Sequence, residues 1–323
     1  MKSIFRTLGA IAIVTAAAGS AHAQTWPTRP IRMVVPYTPG GYTDLMARLV
    51  SQKMSESLGQ PFVIENKPGA NAVIGTDAVA KAAPDGYTFG TVIAAHSVNP
   101  TLNPKLPYDT MKDLAYVSQT SLAPLILIAH PSVPANNIKE LIALAKAKPG
   151  TLNFASSGIG SAAHLTMEMF KSREGVNLQH IPYKGTSGAL QDLVGGNINV
   201  MFDVIGPLMS QVTPGNAKAL AITATDRVPA AGNTPTMAEQ GVADFVSGTW
   251  TVIVAPAGTP KEIVDRMSQE AKKALADPEV KKKLDDQGIV ATGTTPDETR
   301  TFVTNEIARW KKVITEANIK LEQ

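Results

Sequence analysis

The sequence predicts an α/β protein made of two domains with a ligand cleft between them. Apolar runs typical of β-strands alternate with helical patterns along the whole chain, which favours mainly parallel sheets. A strand, a glycine or serine turn and a helix follow one another at 31–48, and the same order recurs at 153–164 and 181–190. The simplest arrangement places the first turn in one domain and the other two in the second, facing across a cleft. About 300 residues follow the N-terminal leader, which is enough for two domains.

Residues 1–23 have the features of a secretory leader. Lys2 and Arg6 form a basic start, residues 8–18 are apolar, and Ala21-His22-Ala23 is a small-x-small cleavage site. The apolar part is too short for a permanent membrane span. We therefore expect cleavage before Gln24 and a mature protein retained in the periplasm.

The mature chain begins with a strand at 31–35, where an apolar run ends at a proline. The predicted strands are 31–35, 62–65, 88–94, 125–129, 152–155, 199–202, 219–223 and 251–255. The predicted helices between them are 44–58, 75–82, 138–147, 162–173 and 188–194. Thr259 and Thr295, each followed by proline and then by glutamate at the third position, predict capping boxes that open two C-terminal helices.

Two of these strands are natural crossovers between the domains. The apolar runs at 125–129 and 251–255 divide the chain into 24–124 and 255–323, which we assign to domain I, and 125–254, which we assign to domain II. Domain I is thus discontinuous, and the C-terminal tail returns to it.

The turn at Gly40-Gly41 predicts a small-anion site. The first N–H groups of a helix have no partner within the helix and lie at the positive end of its dipole. Glycine lets a ligand approach that backbone closely. A helix beginning directly behind Gly41 therefore favours an anion cradle over a simple turn.

Thirteen residues are candidate ligand contacts: Tyr37, Thr38, Gly40, Gly41, Tyr42, Asp44, His96, Ser157, Gly158, Ser161, His164, Thr186 and Asp203. The serine and threonine hydroxyls could donate to a carboxylate or could cap their own helices. The histidines could touch the ligand, although a histidine on a helix more often makes a structural hydrogen bond. Asp203 could line the cleft or orient a neighbour.

Asp44 and Tyr42 each have two interpretations. The Asp44 carboxylate would repel a ligand carboxylate, so we favour support of the helix N-terminus, with capture of a ligand ammonium as the alternative. The Tyr42 ring could narrow the pocket and set specificity, or it could be surface packing.

Composition excludes several classes of protein. The chain has no cysteine, so it forms no disulfide, thiolate metal site, thiol nucleophile or cysteine-linked lipid anchor. Removal of Lys2 and Arg6 lowers the formal charge from +3 to +1, because the leader holds no acids, and this disfavours nucleic-acid binding. No spacing of metal ligands or paired catalytic carboxylates stands out, so we expect no metal and no cofactor.

Seven ordered motifs give the chain a family resemblance over nearly its whole mature length. They lie at 35–44, 65–70, 82–88, 156–164, 180–185, 235–241 and 255–260. With them the chain resembles the Bug or TctC-like periplasmic solute-binding proteins of tripartite tricarboxylate transporters. Tyr42 departs from the family pattern, which often has a small residue or proline after the glycine pair.

The resemblance implies a periplasmic-binding-protein clamshell, or Venus flytrap, that acts as a monomeric receptor. Such receptors hold a small carboxylate by backbone groups, short hydroxyl side chains and bridging waters, and deliver it to a membrane permease. The ligand expected here is a di- or tricarboxylate, an acidic amino acid or an aromatic acid.

Two other functions remain open from the residues alone. A periplasmic hydrolase could use Ser157 or Ser161 with His164, but Ser161 and His164 are close in sequence, no orienting acid is evident, and the G-x-S-x-G elbow is missing. A receptor that presents its ligand to a sensor rather than a permease would have the same residues.

Overall fold

The computed structural model describes residues 26–183 and 185–320. The predicted leader, 1–23, lies outside the described residues. Within those two ranges, no helix combines the length and the apolar character needed to cross a membrane.

The described chain alternates strands and helices, as the sequence predicts. The strands are β1 (Ile31–Val35), β2 (Phe62–Asn66), β3 (Thr88–Ile93), β4 (Leu114–Ala129), β5 (Asn153–Ser156), β6 (Gln179–Pro182), β7 (Val200–Val204), β8 (Lys218–Ile222), β9 (Gly248–Pro256) and β10 (Val290–Ala291). The helices are α1 (Tyr42–Leu58), α2 (Val73–Ala80), α3 (Ala95–Leu102), α4 (Ile138–Ala147), α5 (Ala162–Glu174), α6 (Thr186–Val194), α7 (Ile205–Val212), α8 (Lys261–Ala276), α9 (Pro278–Asp285) and α10 (Pro296–Glu316).

The strands form one sheet with the order β2-β1-β3-β9-β4-β7-β5-β6, and β8 and β10 also pair with β4. We call β1, β2, β3, β9, β10 and the first part of β4 sheet 1, and β5 to β8 with the last part of β4 sheet 2. The sixteen-residue β4 belongs to both, because Leu114–Pro124 pair with β9 and Leu125–Ala129 pair with β7.

The sheet is mixed rather than mainly parallel. The pairs β1–β2, β1–β3, β5–β6 and β5–β7 are parallel, whereas β9 and β4 pair antiparallel with each other and with β3 and β7. The chain leaves sheet 1 along β4 and returns along β9, so these two central strands must run in opposite directions. The pattern of alternating strands and helices predicts the α/β class correctly but does not contain this reversal. The exact domain boundaries stay a prediction.

Two of the elements that were not predicted, the first part of β4 and α3, contain residues that normally interrupt regular structure. In the first part of β4, the apolar pattern of a strand is interrupted by the polar run Ser118–Ser121 and by Pro124, and Pro100 lies inside α3.

The capping box at Thr295 is confirmed by reciprocal bonds with Glu298. The prediction of a capping box at Thr259 is wrong, because the Thr259 hydroxyl donates to the carbonyl of Pro256 (2.8 Å) and α8 has no side-chain cap.

Parallel strands bring several helix N-termini together. The carboxyl ends of neighbouring parallel strands lie at one edge of a sheet, and the helices that follow them begin there. In sheet 1 this applies to α1 after β1 and α2 after β2; in sheet 2 it applies to α5 after β5 and α6 after β6. The fold therefore places the glycine-containing turns of both sheets around one space.

Candidate functional site

A cavity of about 1120 Å³ lies where the turns of sheets 1 and 2 face each other. Ten of the thirteen candidate residues line it: Tyr37, Thr38, Gly40, Gly41, Tyr42, Ser157, Gly158, Ser161, Thr186 and Asp203. The fold thus brings together residues that are more than 150 positions apart in sequence. Ligand contact by each of them stays a prediction.

Four helices have an N-cap residue in the cavity wall and no side-chain cap; in α7 this residue is Val204. The N-cap positions of α1, α2 and α6 are Gly41, Ala72 and Gly185, and no side chain accepts from the first-turn N–H groups of these helices. Away from the cavity, side chains cap α4, α9 and α10, whereas α8 has no side-chain cap. In α2 the N–H groups of Val73 and Ile74 donate to the carbonyls of Ala70 and Gly69, so the N-termini of α1 and α6 are the two that suit an anion.

Ser161 differs from these uncapped positions because it combines the two expected roles. Its Oγ accepts from the backbone N–H of His164 (3.2 Å) and so caps α5. Its hydroxyl proton is not used in that bond and is left for a ligand oxygen.

No basic side chain is among the cavity-lining residues that the structure describes, and Asp203 is the one carboxylate among them. The described lining residues offer an anion neutral donors, that is, backbone N–H groups and hydroxyls. Several such donors, with ordered water, are sufficient for a carboxylate.

Asp44 lies beneath the glycine turn and is not part of the cavity wall. Its Oδ2 accepts from the backbone N–H of Gly40 (2.9 Å) and from Arg48 (2.8 Å), and its Oδ1 accepts from Asn66 (2.9 Å). Burial raises the pKa of Asp44, but the hydrogen bonds from Arg48, Gly40 and Asn66 outweigh it and lower the pKa below its ordinary value. The arrangement corresponds to the structural role rather than to capture of a ligand ammonium.

His96 lies in the core behind the cavity, with 1 % of its surface exposed. Its Nε2 is 3.0 Å from the Tyr116 hydroxyl, which itself donates to the carbonyl of Thr110 (2.9 Å). Because the Tyr116 proton is used in that bond, Nε2 of His96 donates to the Tyr116 oxygen. Nδ1 carries no proton and has no hydrogen-bond partner among the described residues. Burial lowers the pKa of His96 to about 3, so the ring is neutral at physiological pH. His96 is removed from the set of cavity-lining candidates.

His164 is also absent from the cavity wall, but it supports the turn that forms it. Its Nδ1 accepts from the backbone N–H of Gly160 (3.1 Å), and its ring stacks on that of His180 at 4.0 Å. The Nε2 of His180 shares a hydrogen bond of 2.7 Å with the hydroxyl of Ser156. Burial lowers the pKa of His164 to about 3 and that of His180 to about 4. The two neutral imidazoles hold the 156–161 turn in place.

The loop 68–72, which was not predicted from the sequence, also lines the cavity. Ala70, Asn71 and Ala72 have φ values of 47°, 51° and 73°, a conformation that is unusual outside glycine. Asn99, which is buried, holds the loop by donating to the carbonyl of Asn71 (2.9 Å) and accepting from its side chain (3.1 Å). The available signal was Gly69, which follows a predicted strand and precedes a predicted helix in the same order as the other turns.

The Tyr42 ring is fixed at the cavity wall by its hydroxyl. That hydroxyl shares a hydrogen bond of 2.7 Å with Ser121 on β4, which in turn bonds to Thr251 on β9. The hydrogen bond holds the ring in the cavity wall, and its effect on which ligands bind stays a prediction.

We predict that Tyr42→Ala changes which acids bind, with bulky acids gaining relative to short ones, because the wall recedes. The matched control Tyr42→Phe keeps the ring, so the ranking should persist while stability falls by about 1 kcal/mol for the lost hydrogen bond. Thermal-shift ranking of an acid series measures both variants. An unchanged ranking in Tyr42→Ala would show that the ring does not select ligands.

Comparison with known proteins adds an independent line of evidence. The family described as "Tripartite tricarboxylate transporter family receptor" matches residues 46–319. The protein BugT of Bordetella pertussis is 40% identical over 322 residues, which cover 98% of this chain and 99% of BugT.

Two solved structures from the same group of relatives contain carboxylates. A protein of R. palustris with adipate has a TM-score of 0.85 and 35% identity, covering 91% of this chain and 99% of that one. The MatC protein of Rhodopseudomonas palustris with bound malate has a TM-score of 0.81 and 33% identity, covering 90% of this chain and all (100%) of MatC.

Proposed function

This chain belongs to the tripartite tricarboxylate transporter family of receptors, and from that premise we propose that it captures a small carboxylate in the described cavity and delivers it to a membrane permease. The relatives solved with adipate and malate support a carboxylate as the class of ligand. The leader-like N-terminus supports a periplasmic location for the mature protein.

The observation that carries the proposal is the convergence of two helix N-termini on one cavity, one after a strand of sheet 1 and one after a strand of sheet 2. The first-turn N–H groups of α1, after Gly41, and of α6, after Gly185, have no side-chain cap. A ligand anion supplies the acceptor that a capping side chain supplies elsewhere in the chain. Because the donors come from both sheets, a bound carboxylate also favours the arrangement in which the two sheets close around it.

The geometry gives the hydrolase alternative little support. Among the described residues, neither expected pair forms, because Ser161 caps α5 and Nδ1 of His164 faces Gly160. Two other Ser–His pairs form: Ser156 with His180, whose serine has no exposed surface, and Ser132 with His130, which lies outside the cavity wall.

A thermal-shift screen of the mature protein tests the proposed function. A ligand that binds only the folded state stabilises it by about 2.7 kcal/mol at a hundred times its Kd, so a matching carboxylate should raise the Tm. The screen compares mono-, di- and tricarboxylates, acidic amino acids and aromatic acids with their neutral amides as matched controls. If no carboxylate raises the Tm while an ester or amide is hydrolysed, the receptor proposal is wrong.

A further inference from the structure

A small hydrophobic cluster, separate from the main core, joins helices of the two sheets. Its buried members are Val98 and Leu102 on α3, Leu165 on α5, and Trp310 and Ile314 on α10, each at most 7% exposed. The helices α3 and α10 follow strands of sheet 1, whereas α5 follows β5 of sheet 2. Leu165 is therefore a sheet 2 side chain held among sheet 1 residues. We call the other four residues the socket.

Polar contacts of α10 fix the socket to sheet 1. Nε1 of Trp250 on β9 (2.9 Å) and Nε1 of Trp310 (3.0 Å) both donate to Oε2 of Glu306, which is buried. Arg309 donates to the backbone carbonyl of Val246, just before β9. The helix also packs against both α3 and α5. The Trp310 ring is thus held by bonds in which α5 takes no part.

A second contact between the sheets lies beside the socket. Gly160 is in the 156–161 turn, and a Cβ on it would lie 3.1 Å from Nδ2 of Asn71 and 3.2 Å from Cδ1 of Leu102. Asn71 lines the cavity, so the contacts between the sheets extend from the socket to the cavity wall. The same helix, α5, has its N-cap Ser161 at the cavity and Leu165 one turn later. The seating of Leu165 therefore fixes the position of this turn.

The contact has a consequence for the equilibrium between arrangements of the two sheets. Withdrawal of α5 from the socket would expose Leu165 and its apolar neighbours to water, which is unfavourable. The described arrangement is thus favoured even without a ligand. Because the N-termini of α1 and α6 face one cavity in this arrangement, its population sets the apparent affinity for a ligand that contacts both.

We propose that Leu165 is a latch, that is, a side chain that sets the balance between the described arrangement of the two sheets and more open ones. Leu165 is not one of the cavity-lining residues, so it acts through packing alone. Its effect on ligand affinity rests on the proposed function, whereas its effect on the arrangement of the sheets does not. A latch changes the affinity for all ligands by one factor, whereas a cavity residue changes their ranking.

Distances between spin labels on the two sheets test the latch directly. Because the chain has no cysteine, Gln52→Cys on α1 and Lys146→Cys on α4 introduce two label sites, both at exposed positions. Pulsed dipolar EPR on the ligand-free mature protein gives the distribution of distances between them. Adding Leu165→Ala should broaden this distribution and lower the fraction at its main distance.

Ligand binding gives the second measurement. Malate, adipate and glutamate are the probes, and titration calorimetry gives each Kd. In Leu165→Ala, the Kd of every acid that binds should rise by the same factor, about three- to tenfold, because a truncated leucine loses burial of that size. The ranking of the acids should persist. A saturating acid should restore the main label distance.

A second leucine is the matched control. Leu193 has no exposed surface and belongs to a cluster whose buried members all lie between residues 126 and 231, within sheet 2 and its helices. Leu193→Ala should lower the Tm, as Leu165→Ala does, but leave the label distances and the Kd values unchanged. Val98→Ala trims the socket from the sheet 1 side. It should change the distances in the same direction as Leu165→Ala, and it serves as the test if that variant does not fold.

Three results would overturn the latch. The first is a distance distribution that stays that of the unaltered protein in both Leu165→Ala and Val98→Ala. The second is an equal change in Leu193→Ala, because loss of stability would then be the cause. The third is an altered ranking of acids in Leu165→Ala, which would place the effect in the cavity. If no carboxylate binds the unaltered protein, the proposed function is wrong, and the ligand-free distances still decide whether Leu165 is a latch.

Discussion

Gly41→Val is expected to weaken carboxylate binding by about 100-fold while leaving the fold intact. Gly41 is the N-cap of α1, and a Cβ there would have only the carbonyl of Thr38 nearby, at 3.9 Å. Its φ of −82° and ψ of 174° suit any residue, so valine causes no backbone strain. The branched side chain instead obstructs the N–H groups at the start of α1. Loss of one or two charge-assisted hydrogen bonds of about 1.5–3 kcal/mol each gives an effect of this size.

The other end of the same helix offers a matched control. Gly59 has φ of 67° and open space around it, so Gly59→Ala is strained and should lower the free energy of unfolding by about 1–2 kcal/mol. It lies outside the cavity wall and should leave ligand affinity unchanged. Calorimetric Kd values and chemical denaturation of both variants measure the two effects separately. If Gly41→Val bound carboxylates with the original affinity, the N-terminus of α1 would not be part of the binding site.

The position of the site was predictable because its signals are local. The signal is an apolar run, a glycine turn and an amphipathic helix, which together span about twenty residues. Parallel pairing of the strands then places successive turns at one edge of the sheet. This is why Gly40, Ser157 and Thr186, which are distant in sequence, were correctly expected in one place, and the cavity contains all three.

The unpredicted features depend on partners that are distant in sequence. The left-handed loop at Ala70–Ala72 is held by Asn99, and no propensity of alanine favours that conformation. The position of the His164 ring depends on stacking with His180, which lies on another element. The direction of the Thr186 proton depends on Asp203, which is on another strand. A residue type gives the donors and acceptors available, but only the tertiary contacts decide which of them remain for a ligand.

Asp44→Ala is the second substitution for which we expect a large effect, here on stability as well as on ligand binding. Its side chain is 4% exposed and holds the glycine turn, β2 and α1 together through Gly40, Asn66 and Arg48. Asp44→Ala removes the acceptor of three partly buried hydrogen bonds, one of them from a charged guanidinium, and should reduce the free energy of unfolding by about 2–4 kcal/mol. Because Gly40 loses its anchor, ligand affinity should fall too.

An exposed ion pair with the same four-residue spacing is the control. Lys281 and Asp285 are both more than half exposed, at 61% and 54%, so Asp285→Ala should change stability by less than about 1 kcal/mol. If Asp44→Ala is equally mild, the Asp44 contacts do not organise the turn.

The stabilisation by Asp44 should also depend on pH, and the sign follows from the direction of its pKa shift. The pKa of Asp44 in the folded protein lies below its ordinary value of 3.8, so the carboxylate stabilises the fold above pH 3.8. This contribution is lost as the pH falls through the folded-state pKa. The difference in free energy of unfolding between the unaltered protein and Asp44→Asn should therefore be constant near neutral pH and shrink below pH 3.8. Denaturation curves collected from neutral pH to pH 3 measure it. A difference that stays constant down to pH 3 would mean that the Asp44 charge contributes nothing, leaving its hydrogen bonds alone to hold the glycine turn.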